Sequence, residues 1–285
     1  MRQPDETVQA TIFDTTLRDG ELALTQKFTL AQKLQLALML EAAGVDVIEV
    51  GYPGAFRKDR DDLLEVAAQV KQATICGLAS SQPEEIEAVA AALKPAERSR
   101  INVFTPIRVP SAGAESEAIA AIRQGVSLAR RYSGEVEWSA FDATRCPLDV
   151  VCRAVETAIC SGASIITIPD SMGVARPSEF VALVKSVGDR VPNIDQATLA
   201  VHCHNDLGLA DENSLAALTV GVRQVECSVN GLGARAGNAD LEAIVAAIAS
   251  QPKFHTGVQA AHLPALSAQV AALAQSLPPK ARLEA

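Results

Sequence analysis

The sequence has no surplus of positive charge: 25 Lys and Arg stand against 34 Asp and Glu, a formal net charge of -9. Nucleic acid and anionic membranes bind clustered basic surfaces, so neither is expected as a partner. Long apolar runs are also missing. The opening stretch MRQPDETVQATIFD holds no hydrophobic segment of the signal-peptide kind, and charges, Gly or Pro break the interior apolar runs every few residues. Neither secretion nor membrane spanning is expected, and the cytoplasm is the default compartment. Six cysteines are present (Cys76, Cys146, Cys152, Cys160, Cys203 and Cys227) without a CxxC pair. Several fall inside apolar, strand-like runs, which fits reduced, buried thiols better than disulfides or structural zinc. A GxGxxG fingerprint does not follow the first strand-like segment, which argues against a doubly wound dinucleotide-binding sheet.

What the chain does contain is a regular alternation. Hydrophobic residues make up 48 % and charged residues 21 %, enough apolar surface to offset chain entropy on folding. Eight short segments rich in Val, Ile and Thr recur: TIFDTT from Thr11, VIEVGY from Val47, TICGL from Thr74, INVFTP from Ile101, VEWSA from Val136, SIITIPD from Ser164, TLAVHCH from Thr198 and QVECSV from Gln224. Between them lie Ala- and Leu-rich stretches with apolar residues three and four apart. Those from Thr29 to Gly44 and from Asp149 to Gly162 read as amphipathic helices ending at glycine. Strand then helix, eight times over, predicts an α/β chain folded as a (β/α)8 TIM barrel, which takes roughly 250 residues. The barrel is expected over residues 1–250. A Gln251-Pro252 break, an Ala-rich segment from Val258 to Ser276 and a fraying SLPPKARLEA tail make 251–285 a short helical extension, with no room for a second domain.

Barrel active sites sit at the C-terminal ends of the strands, and here those ends are unusually polar. The first closes on Asp14-Thr15-Thr16-Leu17-Arg18-Asp19-Gly20-Glu21, the second holds Glu49, the sixth ends in Asp170-Ser171, and the seventh in His202-Cys203-His204-Asn205-Asp206. His202 and His204 are alternate residues at a strand terminus, so period-two geometry turns both imidazoles to one side, where neutral nitrogens can share a metal. Barrel closure brings Asp19 across the mouth to add an anionic oxygen. Two His plus oxygen donors suit Zn, Mn, Co or Fe, with Mg also admitted. Arg18 faces the same mouth, where its fixed charge could stabilise a developing enolate oxygen. The stretch NGLGARAGN, from Asn230 to Asn238, reads as a flexible loop positioned to bind phosphate or close over a ligand.

The segments FDTTLRDGE, VDVIEVGYP, IPDSMG, VHCHNDLGLA and QVECSVNGLGARAGNADLE closely resemble the isopropylmalate, homocitrate and citramalate synthase group of the DRE-TIM metallolyase superfamily, from about Ile12 to Ile248. The resemblance implies a TIM barrel with a divalent metal on Asp19, His202 and His204, Asn238 completing or flanking the site. A 2-oxo acid would bind by its keto and carboxylate oxygens, with Arg18 polarising the ketone. Ser171 stands where these synthases usually carry Thr, at the carboxylate-binding position. Thr144 and Asn205 are further substrate-contact candidates, and Glu21 and Glu49 join Arg18 as catalytic candidates. The implied reaction is a Claisen-type condensation of an acyl-CoA with the 2-oxo acid, in a homodimer.

Three departures thin the acid–base groups of that pattern. The usual FSxEDATR is WSAFDATR, which puts Phe141 in place of a catalytic glutamate. Leu22 replaces the amide of DGEQ, and Ala234 the carboxylate of GERAGN. The histidine that works with the missing glutamate comes, in the group, from a region after the barrel that these 285 residues do not supply. His255 and His262 read as solvated surface residues, the alternative being a reach into a neighbour's mouth. An acyltransferase is the leading expectation. A metal-dependent lyase or aldolase releasing a 2-oxo acid is the second, although the Gly-rich loop carries no lyase cysteine and Glu21 stands where the aldolases have His. The third is a weakened barrel that needs a separate chain to supply the C-terminal region.

Overall fold

The computed structural model describes residues 7–108 and 110–276. Eight parallel strands close into a barrel: β1 (Thr11–Asp14), β2 (Val47–Gly51), β3 (Thr74–Ser80), β4 (Ser99–Pro106), β5 (Glu135–Phe141), β6 (Ile165–Asp170), β7 (Thr198–Cys203) and β8 (Gln224–Cys227), with Thr11 registered on Gln224 at the seam. Every strand is followed by a helix: α1 (Leu30–Ala42), α2 (Arg57–Gln69), α3 (Pro83–Ala92), α4 (Ala112–Arg130), α5 (Leu148–Cys160), α6 (Pro177–Arg190), α7 (Ala210–Leu218) and α8 (Leu241–Ala249). Among the described residues no helix is long and apolar enough to cross a membrane.

Local chemistry sets the element ends. Thr29 caps α1 in a reciprocal capping box with Gln32, and the turn after α1 runs through Gly44 at φ 82°, where a Cβ would lie 2.6 Å from the Gly257 carbonyl oxygen. Leu36, Leu40, Leu63, Val66, Ile86 and Val89 seal the strand–helix layer. After Ala249 the described residues run to α9 (Leu263–Ser276), and Phe254–His255 pairs in parallel with Val8–Gln9 at the strand-opening end of the barrel. That pair was not foreseen, because two residues carry no periodicity. The tail after Ser276 lies outside the described residues. All six cysteines are free, but only Cys76, Cys203 and Cys227, on strands, are buried. Cys146 and Cys152 are half-buried and Cys160 is exposed, so the expectation of buried thiols holds for the strand positions alone.

The barrel interior holds a group of buried charged and polar side chains. Arg100 binds the Glu135 carboxylate through Nε and Nη2, and its Nη1 reaches Glu137 at 3.0 Å and Gln224 at 2.7 Å. The Thr167 hydroxyl lies 2.5 Å from Glu137 and 2.9 Å from Glu226. One hydroxyl has one proton to donate, so bonding to both acids requires a proton on one of them. Burial, and for Glu137 the charge of Glu226, raises both carboxyls to about 7. A folded pKa above the unfolded one means that stability falls as pH rises from about 4.5 to about 7. Glu137→Gln removes that titration, and because one end of the amide must face a donor, either Arg100 or the Thr167 and Gln224 pair, it also adds a loss of stability that does not vary with pH. Its Tm relative to the parent is expected to climb between pH 4.5 and 7 and then level off. A pH-independent offset alone in thermal melts would refute the shared proton.

Candidate metal centre and active site

The chain leaves β1 in a tight knot. Asp14 accepts from the Thr16 amide and hydroxyl at 2.9 and 2.8 Å, and the Thr16 hydroxyl oxygen accepts from the Val229 amide at 2.8 Å, which ties this tip to β8. The knot delivers Asp19 to the barrel mouth almost fully buried. One carboxylate oxygen of Asp19 accepts from Arg18 Nη1 at 2.8 Å, and the other from Asn238 Nδ2 at 2.9 Å and the Ala234 amide at 3.2 Å. Burial works to raise its pKa, but the adjoining Arg18 guanidinium leads the opposing effects, which hold the carboxylate well below its usual range.

His202 and His204 close β7 with their Nε2 atoms 3.4 Å apart. Each Nδ1 is engaged behind, His202 with Glu226 Oε2 at 2.9 Å and His204 with the Gly237 carbonyl at 3.3 Å. Protons on both Nδ1 atoms satisfy those acceptors and leave two Nε2 lone pairs facing forward. Burial lowers both imidazoles, His204 to about 4, so they are neutral. Donor atoms of Asp19, His202 and His204 all lie within 4.8 Å of one another. Beside them Asn238 Oδ1 is buried without a hydrogen-bond partner, an oxygen with unused lone pairs. Two neutral imidazoles, a carboxylate and an orphaned carbonyl suit a divalent cation. Glu226→Ala, which frees His202 to reorient, is expected to weaken Mn2+ affinity about 10- to 100-fold in titration calorimetry. Unchanged affinity would remove Glu226 from the site.

In front of these donors lies a cavity of about 310 Å³. Its lining divides by strand. Arg18, Asp19, Thr167, Ser171, His202, His204 and Glu226 come from β6, β7, β8 and the loop after β1, while Tyr52, Leu78, Phe104 and Phe141 come from β2 through β5.

A family model described as HMGL-like matches residues 9–270. The chain belongs to the HMGL-like family. The 2-isopropylmalate synthase of Pseudoalteromonas atlantica is 45 % identical over 241 residues, 83 % of this chain and 46 % of that protein. The enzyme of the same name from Methylorubrum populi is 47 % identical over 255 residues, 87 % and 49 % of the two chains. The chain thus spans about half the length of the curated relatives it matches. Among solved structures, an HMG-CoA lyase from Brucella melitensis superposes with a TM-score of 0.77 at 23 % identity, over 94 % of this chain and 99 % of that one. The carboxyl transferase domain of Rhizobium etli pyruvate carboxylase gives 0.78 at 15 %, over 96 % and 49 %. At these identities the likeness is one of fold, the TIM barrel expected from the sequence.

Within this HMGL-like chain, Arg18, Asp19, Ser171, His202 and His204 line the cavity as the sequence suggested. Glu49 lies behind the wall. It is wholly buried and holds Arg18 Nε at 2.6 Å and the Thr15 hydroxyl at 2.8 Å. Three candidates are placed elsewhere. The 3-10 turn Gly20–Ala23 swings Glu21 behind the mouth, where it accepts from the Phe28 amide and sits 3.1 Å from the buried Lys33 ammonium. Thr144 donates to Asp170, and the Asn205 side chain accepts from the Ala210 amide at the start of α7. None of the three lines the cavity. His255 and His262 are exposed. The loop read as flexible is stapled: Arg235, at φ 57°, clamps Asp206 through two 2.9 Å bonds and reaches the Ser171 carbonyl at 2.8 Å. Sequence reasoning left Arg235, Glu226 and Tyr52 without a role. For Glu226 the β7–β8 register, which makes it the direct partner of His202, supplies what the sequence did not.

Proposed function

We propose that this chain is the barrel of a metal-dependent, 2-isopropylmalate synthase-like acyltransferase that condenses an acyl-CoA with a 2-oxo acid, acting in the cytoplasm as a homodimer. The observation that carries the reading is the cluster of Asp19, His202 and His204 at a cavity whose wall also presents Arg18. The relatives 45 % identical over most of the chain support the same chemistry. Asp19, His202 and His204, with Asn238 beside them, would hold the metal, and Zn, Mn, Co, Fe and Mg all suit these donors. A bound divalent cation supplies Lewis acidity and a template for the keto and carboxylate oxygens of the acceptor.

The side chains do the rest. Arg18 is fixed by Glu49 through Nε and by Asp19 through Nη1, so its charge is preorganised for negative charge growing on the substrate oxygen. Ser171 accepts from the Asp142 amide at 2.9 Å, which leaves its hydroxyl proton to donate to the substrate carboxylate. Phe141 cannot take a proton, so the base for the acyl-CoA comes from another group, either on this chain or on a partner chain. The test is release of free CoA from acetyl-CoA, read with a thiol reagent. It should require both a divalent metal and a 2-oxo acid and stop on chelation with EDTA. Absence of thiol release across a broad acceptor panel, or a 2-oxo acid formed from a hydroxy acid without CoA, would overturn the proposal.

A further inference from the structure

The reading of this site as a chelating 2-oxo acid pocket implies a direction for the acceptor's side chain, and the inference below rests on that reading. A 2-oxo acid chelates through two oxygens in one plane, so the third substituent of the keto carbon points away from the donors. The donors stand on β7 and just past β1 and β7, and the wall facing them across the mouth is built from β2 to β5.

That wall is aromatic. Tyr52 and Phe104 meet edge to face with ring centroids 5.7 Å apart at 85°, and Phe104 and Phe141 follow at 6.2 Å and 56°. The series ends openly, because Phe141 is 44 % exposed at the cavity. The whole chain has one Trp, two Tyr and seven Phe, yet three of them converge here. Polar atoms on this side are already paired: the Tyr52 hydroxyl donates to Glu85 at 2.8 Å, and the Ser139 hydroxyl to Asn102 at 2.9 Å. An anionic side chain would find both hydroxyl protons already donated and would lose its hydration. Aromatic rings favour tilted and edge-to-face neighbours over aliphatic ones of equal area.

We propose that the acceptor is a 2-oxo acid with an aromatic side chain, whose ring seats against Phe104 and Phe141 as the next member of the series. Phe141, in place of a proton-transfer carboxylate, is then a specificity residue.

The test is equilibrium binding to the full chain loaded with Mn2+, in the absence of CoA, so that turnover and any missing base do not enter. Calorimetric titrations with 3-phenyl-2-oxopropanoate, 3-methyl-2-oxobutanoate and 2-oxopropanoate should rank in that order, the aryl acid binding about tenfold more tightly than the branched one. Phe141→Ala should shrink the ratio of the first two affinities to about twofold, and Phe141→Leu, which keeps apolar bulk without a ring, should do the same. Equal or tighter binding of the branched acid overturns the aromatic assignment and leaves the acyltransferase reading standing. A selectivity ratio that survives both variants also overturns it. If none of the three acids binds the metal-loaded chain, the chelating pocket itself is wrong, and both proposals fall together.

Discussion

Asp19→Asn is expected to lower divalent metal affinity by at least about 100-fold and to abolish metal-dependent turnover, more than any second-layer change in this site. The charge is half of the argument. The carboxylate accepts on both oxygens, from Arg18 on one side and from Asn238 and the Ala234 amide on the other. An amide has one acceptor and one donor end, so whichever way it turns its NH2 faces another donor. The site therefore loses its anionic ligand and its alignment at once. His204→Ala removes a nitrogen donor without that conflict and should show the same loss of affinity with a smaller fall in Tm. Metal retained through dialysis by both variants, at parental stoichiometry, would sink the assignment of the centre.

Arg18→Ala should reduce turnover about 100- to 1,000-fold, the scale on which a preorganised charge at a developing oxyanion acts. It should also cost about 3–5 kcal/mol of stability, because Glu49 is wholly buried and loses the cation that pairs with it. The two effects separate by a second substitution. Glu49→Gln in the Arg18→Ala background removes the unpaired buried charge, so the melting temperature should recover while turnover does not. Activity recovering in step with stability would show that Arg18 acts only by holding the fold. Arg18→Lys cannot bridge both carboxylates from one ammonium in the same geometry and should fall between the parent and the alanine variant.

The legible part of this protein rests on short-range rules. The Val-, Ile- and Thr-rich segments lie on the barrel strands because β-branched side chains pack well on a pleated surface. Thr29 and Gly44 mark the ends of α1 through cap chemistry that needs no partner from afar. His202 and His204 were readable as a pair because alternate residues of one strand share a face, and Asp19 joined them because barrel closure places the end of the first strand close to the seventh.

Other features were not legible, since each depends on which distant residue comes alongside. Glu21 is two residues from Asp19, yet one 3-10 turn sends it backward to Lys33 of α1, within a buried ion cluster completed by Lys27, Asp59 and Asp62. Local sequence does not say which way a single turn faces. Hydrogen bonds in the interior group of Arg100, Glu137, Gln224 and Glu226 join residues up to 124 apart in sequence, and each member alone reads as an ordinary polar or charged surface residue. Tyr52, Phe104 and Phe141 were three isolated aromatics until the register of β2 to β5 stacked them on one wall.

The sequence by itself determined that the chain is a (β/α)8 barrel with a histidine pair and an aspartate at its mouth, because periodicity and strand-end position are local properties. Tertiary structure alone decided how that mouth is divided, with donors on one side and rings on the other. Inward-facing residues of neighbouring strands become neighbours only when the barrel closes and its register is set, and no single segment encodes the partner it will face.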